Sequence, residues 1–321
     1  MTLSAEASIA RLIAERHGFN PGDNLQDLVS LYADVEYLRF PTDTVDGISL
    51  HLKSPYRRSN ILINLGISET RQIFTLGHEF GHVIIPWHSG MIFSNIDKGS
   101  RSANNLYREM EAEANRFSAE LLMPSDWISK LFYDSGDPAT VVEIVRNTCR
   151  TSNDAAVIAV NNSLPAGFVY ACTDVKNIVK RSDTTLGTRA PAVSAGDNLV
   201  ASRHFTNCSK KFSYSDRGSL HYWLLFDTEI PLEKNDDPRE WREIFSQILA
   251  EININIPQTT LKQRVNGIIS AANRPGISSE AFFANVRQRM LGRDSDITSV
   301  FEHPLFDLML SKRVREFHKD R

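Results

Sequence analysis

Cysteine is scarce in this 321-residue sequence, and long hydrophobic runs are missing from it. The three cysteines, Cys149, Cys172 and Cys208, are odd in number, widely spaced and without a CxxC pair. This pattern argues against a disulfide framework and against a cysteine zinc site. No apolar stretch approaches the roughly 20 residues needed to span a bilayer. The N-terminus lacks the basic start and apolar run of a signal peptide, so the expected location is a reducing cytoplasm.

An excess of charge of one sign is also missing. The formal net charge is −3 and the pI is about 6.3, so the chain carries no general basic field that would attract nucleic acid or anionic lipid. With 41% hydrophobic and 23% charged residues, its composition is that of an ordinary globular protein. We therefore expect neither direct nucleic-acid binding nor a membrane partner. The sequence does not indicate an oligomeric state.

The apolar patterns predict an α+β fold in three parts, covering residues 1–124, 125–164 and 165–321. In the first part, strand-like runs cover 35–40, 46–52 and 60–67. A helix is predicted over 69–85, an exposed loop over 87–105 and a second helix over 106–123. Short helices follow. Residues 165 to about 228 are typical of an antiparallel β region, and the remainder is helical. In the last helices an apolar set could cover that β region or form a dimer surface: Phe282, Phe283, Phe301, Phe306 and Leu308.

The most informative segment is TLGHEFGHVII, residues 75–85. On a helix, His78 and His82 lie one turn apart on the same face, so both imidazoles can bind one metal ion. Glu79 lies next around the helix from His78, where a carboxylate can take a proton from water beside the metal. The alternative is a pair of core histidines, but burying both without a shared partner is costly. Apolar residues indicate that this helix is buried: Phe74, Leu76, Phe80 and Ile84.

A third ligand is expected from REMEAEANRF, in the second helix. Glu109, Glu111 and Glu113 are candidates, and the alternative for all three is a solvated acidic face. Glu111 and Asn115 share one face, so Glu111 could bind metal while Asn115 orients a ligand histidine. Glu113 points about 200° away from Glu111, so both cannot serve the same ion. Spacing alone leaves the choice open.

Two segments resemble the signature motifs of the ImmA/IrrE metallopeptidases, which are gluzincin-type enzymes. They are RQIFTLGHEFGHVI at 71–84 and EAEANRFSAELLMP at 111–124. The preceding runs DGI at 46–48 and ILIN at 61–64 are also similar to the usual lead-in of that family. The resemblance covers about residues 1–165. The chain departs from the commonest form where Gly77 replaces a frequent alanine and where Pro86-Trp87 shifts the next histidine, His88.

The resemblance implies a zincin-like core, built from a small antiparallel sheet and the HExxH helix, followed by a helix-turn-helix-like module at 125–164. The E-x-x-A-N pattern matches Glu111, Ala114 and Asn115, which favours Glu111 as the third ligand beside His78 and His82. Glu79 would then be the general base and zinc, or manganese, the metal. Several family members cleave a DNA-binding repressor, which implies a helix-turn-helix repressor as substrate.

Two functional classes are compatible with these features. The first is a cytoplasmic zinc endopeptidase of narrow specificity, and the second is a metal-containing sensor or binding protein without proteolytic activity. The intact set of His78, Glu79 and His82 favours the peptidase, because a structural site needs no glutamate there. His88 and Tyr107 are candidates for a second oxyanion donor, although an exposed loop histidine and a core tyrosine are the simpler interpretations. SNDAAVIAVNN, in the helical module, lacks Lys and Arg, which favours packing over DNA binding.

Overall fold

The computed structural model describes residues 3–42, 44–94, 105–232 and 236–319, with the backbone alone for 90–94 and 319. The protein is α+β, as predicted, with two small sheets and many helices. The chain forms two compact units, Met1–Ser163 and Leu164–Arg321. The three-part division expected from the sequence remains a prediction.

The elements of the first unit agree closely with the apolar patterns. Its strands are β1 (Ala33–Leu38), β2 (Gly47–Leu52), β3 (Ser59–Asn64) and β4 (Gly90–Ser94). Its helices are α1 (Ala5–His17), α2 (Leu25–Val29), α3 (Glu69–Ile84), α4 (Asn105–Leu122), α5 (Ser125–Ser135), α6 (Pro138–Thr148) and α7 (Asn153–Ser163).

The first sheet is mixed, and the expectation of an antiparallel sheet was wrong. Its order is β1-β3-β2-β4, and β1 runs parallel to β3. The reason is the connection 39–46, which carries the chain across the end of β3 before β2 begins. The buried Asn64 holds that connection: its Oδ1 accepts from Phe40 N at 3.4 Å and its Nδ2 donates to Val45 O at 3.0 Å. The backbone groups of the crossing segment are thereby satisfied at the sheet end.

Strand β4 lies inside the stretch that was predicted to be an exposed loop, so that prediction was wrong for residues 90–94. β4 pairs antiparallel with β2, with Gly47 opposite Ser94 and Ile48 opposite Phe93. The free edge of β2 offers unpaired backbone groups, which a short following segment can satisfy without a strong pattern of its own. Residues 95–104 of the predicted loop lie outside the described residues.

Helices α3 and α4 pack closely through two glycines. A Cβ at Gly81 would lie 3.1 Å from the Phe117 ring, and a Cβ at Gly77 would lie 2.5 Å from Ser118 Oγ. That hydroxyl is buried and donates to Phe74 O at 3.0 Å. Gly77, one of the two departures from the commonest family pattern, therefore fits the serine that this chain carries on the facing helix.

Helices α5, α6 and α7 pack on one another. Side chains cap α6 and α7 as their residue types suggest, whereas Ser125, expected to cap α5, is the first residue of that helix and makes no cap. Asp137 accepts from Ala139 N at 2.9 Å, and Ser152 accepts from Ala155 N at 3.2 Å. Among the described residues, no helix is both long and apolar enough to cross a membrane.

The second unit contains an antiparallel sheet of order β6-β5-β8-β7, as predicted for this region. One run within the predicted β region, NLVASRHF at 198–205, is not a strand. Its last residues begin helix α8, because the Ser202 hydroxyl caps the backbone N–H of Phe205. The strands are β5 (Phe168–Thr173), β6 (Val179–Thr184), β7 (Lys210–Asp216) and β8 (Ser219–Leu225). The helices are α8 (Arg203–Asn207), α9 (Trp241–Glu251), α10 (Gln258–Ala272), α11 (Ser279–Met290), α12 (Ser295–Phe301) and α13 (Phe306–Lys319).

The C-terminal helices cover one face of the second sheet. Val169 of β5 and Leu224 of β8 share a core with residues of α9 to α13. The apolar set noted in the sequence belongs to this core or packs against it: Phe282, Phe283, Phe301, Phe306 and Leu308. Of the two uses considered for this set, covering the sheet is the one that the structure shows. The three cysteines are free thiols.

Candidate metal centre

Two histidines face each other in the buried second half of α3. His78 and His82 are fully buried, and their Nε2 atoms lie 3.1 Å apart. The predicted spacing of one helical turn therefore brings both ring nitrogens to a common point. Neighbouring α3 residues are buried as well, which excludes solvent from the pair: Thr75, Leu76, Gly77, Glu79, Phe80 and Gly81.

Glu111 of α4 completes the group. Its Oε2 lies 3.4 Å from His78 Nε2, and its Oε1 lies 3.3 Å from His82 Nε2. Ligands held about 2.0–2.1 Å from a tetrahedral ion lie about 3.3–3.4 Å from one another. The observed separations of 3.1, 3.3 and 3.4 Å are close to these values. Two nitrogens and one carboxylate thus fit a zinc site with one open position.

The electrostatics of the group suit a cation. Burial would raise the pKa of Glu111, but hydrogen bonds with His78 and His82 outweigh it and hold that pKa at about 2. Burial lowers the pKa of His82 to about 4. For His78, the hydrogen bond to Glu111 and the charges of Glu79 and Glu111 outweigh burial and raise the pKa. An ionised carboxylate therefore lies beside a neutral imidazole, which are the forms that bind metal.

Asn115 lies where the sequence placed it, one turn after Glu111 on α4. Its Oδ1 is 2.9 Å from His78 Nδ1. A carbonyl oxygen only accepts, so this contact puts a proton on Nδ1 of the neutral ring and leaves Nε2 as the free lone pair. Asn115 therefore orients His78 towards the group. Glu109, the first of the three candidate glutamates, is exposed and lies outside it.

Glu79 is fully buried beside the group and rests on β2. The buried Ser49 hydroxyl donates to Glu79 Oε2, and a Cβ at Gly47 would lie 2.6 Å from Glu79 Oε1. Gly47 and Ser49 lie two residues apart on β2, so both are on the sheet face that points at α3. Sequence reasoning missed both residues as supports of Glu79. Their signal was the pair of small residues two apart, in the strand before the HExxH helix.

His88 and Glu113 form a second layer behind His82. His88 is fully buried, with its Nδ1 2.8 Å from His82 Nδ1 and its Nε2 2.8 Å from Glu113 Oε2. Trp87 Nε1 donates to the same Glu113 oxygen at 2.7 Å. The interpretation of His88 as an exposed loop histidine was wrong, because the turn after α3 folds it back beneath His82. Glu113 stays outside the donor group, which agrees with the prediction that Glu111 and Glu113 cannot both serve one ion.

Tyr107 is the other residue considered as an oxyanion donor. Burial and the charges of Glu111 and Glu79 raise the pKa of Tyr107, and its hydroxyl donates a hydrogen bond to Glu111. A neutral hydroxyl therefore lies next to the donor group. His88, in contrast, has both ring nitrogens engaged.

Fold and site together define a metallopeptidase-like domain: a mixed sheet supports a buried HExxH helix, and the next helix supplies a glutamate. Residues 31–165 match the family model for the IrrE N-terminal-like domain, Peptidase_M78. Over these residues the chain is similar to the ImmA/IrrE metallopeptidases.

One curated relative is the radiation response metalloprotease IrrE of Deinococcus radiodurans. It is 25% identical over 168 residues, which are 52% of this chain and 49% of that protein. The chain thus matches about half the length of this relative. A solved structure, a Mycobacterium tuberculosis transcriptional regulator, aligns with a TM-score of 0.40 at 10% identity. That alignment covers 68% of this chain and 75% of the regulator.

Proposed function

We propose that this protein is a zinc-dependent endopeptidase of narrow specificity with a zincin-like core, acting in the cytoplasm on a regulatory protein. The observation that carries the proposal is the buried carboxylate of Glu79 beside the convergent group of His78, His82 and Glu111. A protein that only binds a metal ion requires nothing beyond the convergent group. A hydrolase also requires a base at this position.

His78, His82 and Glu111 would hold the metal, zinc or alternatively manganese. When bound, such an ion polarises the scissile carbonyl and lowers the pKa of water to about 7. Glu79 accepts the proton of the attacking water and delivers it to the leaving amine. Ser49 and Gly47 hold Glu79 in place for both transfers. The neutral Tyr107 hydroxyl, which donates to Glu111 in this structure, would stabilise the negative charge developing on the carbonyl oxygen if it turned from Glu111 to that oxygen.

The substrate we propose is a DNA-binding repressor of the helix-turn-helix type. Support comes from the family, in which several members cleave such repressors, and from a relative described as a radiation response metalloprotease. The alternative is a metal-containing sensor or binding protein that cleaves nothing. The buried Glu79, held by two residues of β2, favours the peptidase.

The test is Glu79→Gln, which keeps the size of the side chain and removes the base. The variant should keep one metal ion and the wild-type melting temperature, while cleavage falls by about 10²–10⁴-fold. Glu109→Gln, on the exposed face of α4, is the matched control and should cleave normally. The zinc-loaded proteins are incubated with repressors encoded near the gene, and the products are weighed by mass spectrometry. Equal cleavage by Glu79→Gln and wild type would show that Glu79 is not the base.

If zinc-loaded wild type leaves every such repressor intact, the sensor or binding interpretation replaces the peptidase. The proposed substrate would then be wrong as well. Binding of an uncut repressor by both wild type and Glu79→Gln would indicate the same conclusion.

A further inference from the structure

A buried chain of hydrogen bonds leads away from the proposed metal site. It runs from His82 through His88 to Glu113, with ring nitrogen to ring nitrogen at 2.8 Å and ring nitrogen to carboxylate at 2.8 Å. His82 and His88 are fully buried, and Glu113 is 15% exposed. The three side chains come from α3, from the turn that follows it and from α4. The chain therefore exists only in the folded protein.

The positions of the protons in this chain follow from what each group can do. A carboxylate only accepts, so the Glu113 oxygen that faces His88 requires a proton on His88 Nε2. A neutral imidazole carries one proton, and burial favours the neutral ring. His88 Nδ1 is then bare and must accept from His82 Nδ1. His82 consequently keeps its lone pair on Nε2, the atom that faces His78 and Glu111.

We infer that His88 is a positioning residue which, held by Glu113, selects the metal-binding tautomer of His82. His78 and His82 are oriented in the same way by different groups. Asn115 Oδ1 accepts from His78 Nδ1, and His88 Nδ1 accepts from His82 Nδ1. Without His88, the proton of His82 can lie on either nitrogen and the ring can turn. The inference rests on the metal site of the proposed function but not on proteolysis.

The first test reads the tautomers directly in the full-length protein. Long-range ¹H–¹⁵N NMR correlations of histidine-labelled protein distinguish Nδ1–H from Nε2–H rings. In the zinc-loaded protein we expect His88 as the Nε2–H form and His82 as the Nδ1–H form. His88 observed as the Nδ1–H form would overturn the inference, whatever the protein cleaves.

The second test measures zinc affinity by competition with a chelator. His88→Ala and Glu113→Ala should each weaken zinc binding by about 10–100-fold. Because Glu113 acts through His88, the double variant should be no weaker than His88→Ala alone. Glu109→Ala, on the same helix but exposed, should bind like wild type. If the losses of zinc affinity in the two single variants add in the double variant, Glu113 does not act through His88.

These outcomes separate the inference from the proposed function. A protein that shows the expected tautomers and non-additive zinc affinities but cleaves nothing would support the inference and refute the peptidase. A protein that cleaves its repressor while its His88 variants bind zinc normally would support the peptidase and refute the inference.

Discussion

Gly47 leaves the space in which the Glu79 carboxylate lies, so Gly47→Ala is a sharp test of the site. The added Cβ would lie 2.6 Å from Glu79 Oε1, 2.7 Å from Thr75 Cγ2 and 2.9 Å from Glu79 Cγ. Ordinary contacts begin at 3.4 Å, so the carboxylate has to move by about 0.8 Å. A misplacement of about 1 Å costs on the order of 10²-fold in rate. We therefore expect cleavage to fall about 10²-fold, with zinc retained.

The unfolding free energy is a less sensitive readout of Gly47→Ala than the cleavage rate. Overpacking costs about 1–3 kcal/mol, while replacing a glycine inside a strand returns roughly 0.5–1 kcal/mol. The net loss of unfolding free energy is therefore about 0–2.5 kcal/mol, too small to explain a 10²-fold loss of activity through unfolding. Adding Thr75→Ser removes one contact and should recover stability without recovering cleavage, because Glu79 is still displaced.

The assay is single-turnover cleavage by zinc-loaded protein, with amide hydrogen exchange to report the stability of each unit separately. Gly267→Ala is the matched control. It lies inside α10, where a new Cβ meets no atom within 4 Å, and should leave cleavage unchanged. Should Gly47→Ala cleave within a few-fold of wild type, the position of Glu79 does not limit the reaction and our account of β2 is wrong.

Further predictions concern the metal ligands. Elemental analysis with excess zinc should find no metal in Glu111→Ala and one equivalent in Glu113→Ala, and the reverse result would exchange their roles. Asn115→Ala should weaken zinc binding by about 10–100-fold, measured by chelator competition, and an unchanged affinity would exclude it as a support of His78. In the metal-free protein, the pKa of Glu111 is about 2 against an ordinary value of 4.5, so its stabilisation is full above pH 4.5 and is lost as the pH falls towards 2. The pKa of His78 is raised above 6.5, so its stabilisation is full below pH 6.5 and is lost at higher pH. Urea unfolding should therefore separate wild type from Glu111→Gln most between pH 4.5 and 6.5, and a pH-independent difference would contradict this coupling.

Local patterns were sufficient to predict most of the helices and strands. Asp137 and Ser152 cap their helices as their residue types suggest, and α3 extends from 69 to 84 where a helix over 69–85 was predicted. Strand order was not predictable in the same way, because the pairing of β1 with β3 depends on where the chain crosses the sheet. An edge strand such as β4 needs little pattern of its own, since its neighbour supplies the hydrogen-bond partners.

For the site, helical periodicity places His78 and His82 one turn apart on one face, with Glu79 next to His78. The structure brings Glu111 to the two histidines. Asn115 was predicted to orient a ligand histidine and contacts His78, but the supports of Glu79 and His82 were not predicted. Ser49 and His88 come from a strand and a turn whose positions depend on tertiary packing, and neither carries a motif. The angle between Glu111 and Glu113 on α4 indicated that both could not serve one ion, but not which of them would. The contact of Glu113 with His88 required the structure.

The parallel pairing of β1 with β3 affects the order in which the sheet can assemble as the chain is synthesised. Ala33 pairs with Ser59, so β1 has no partner until a strand made after β2 has emerged. β2 and β3 are consecutive and antiparallel, and closing the short segment 53–58 between them costs little chain entropy. We expect this hairpin to form first and β1 to join it afterwards. Because Asn64, the last residue of β3, holds the crossing segment, the sheet is complete only when that strand is formed to its end.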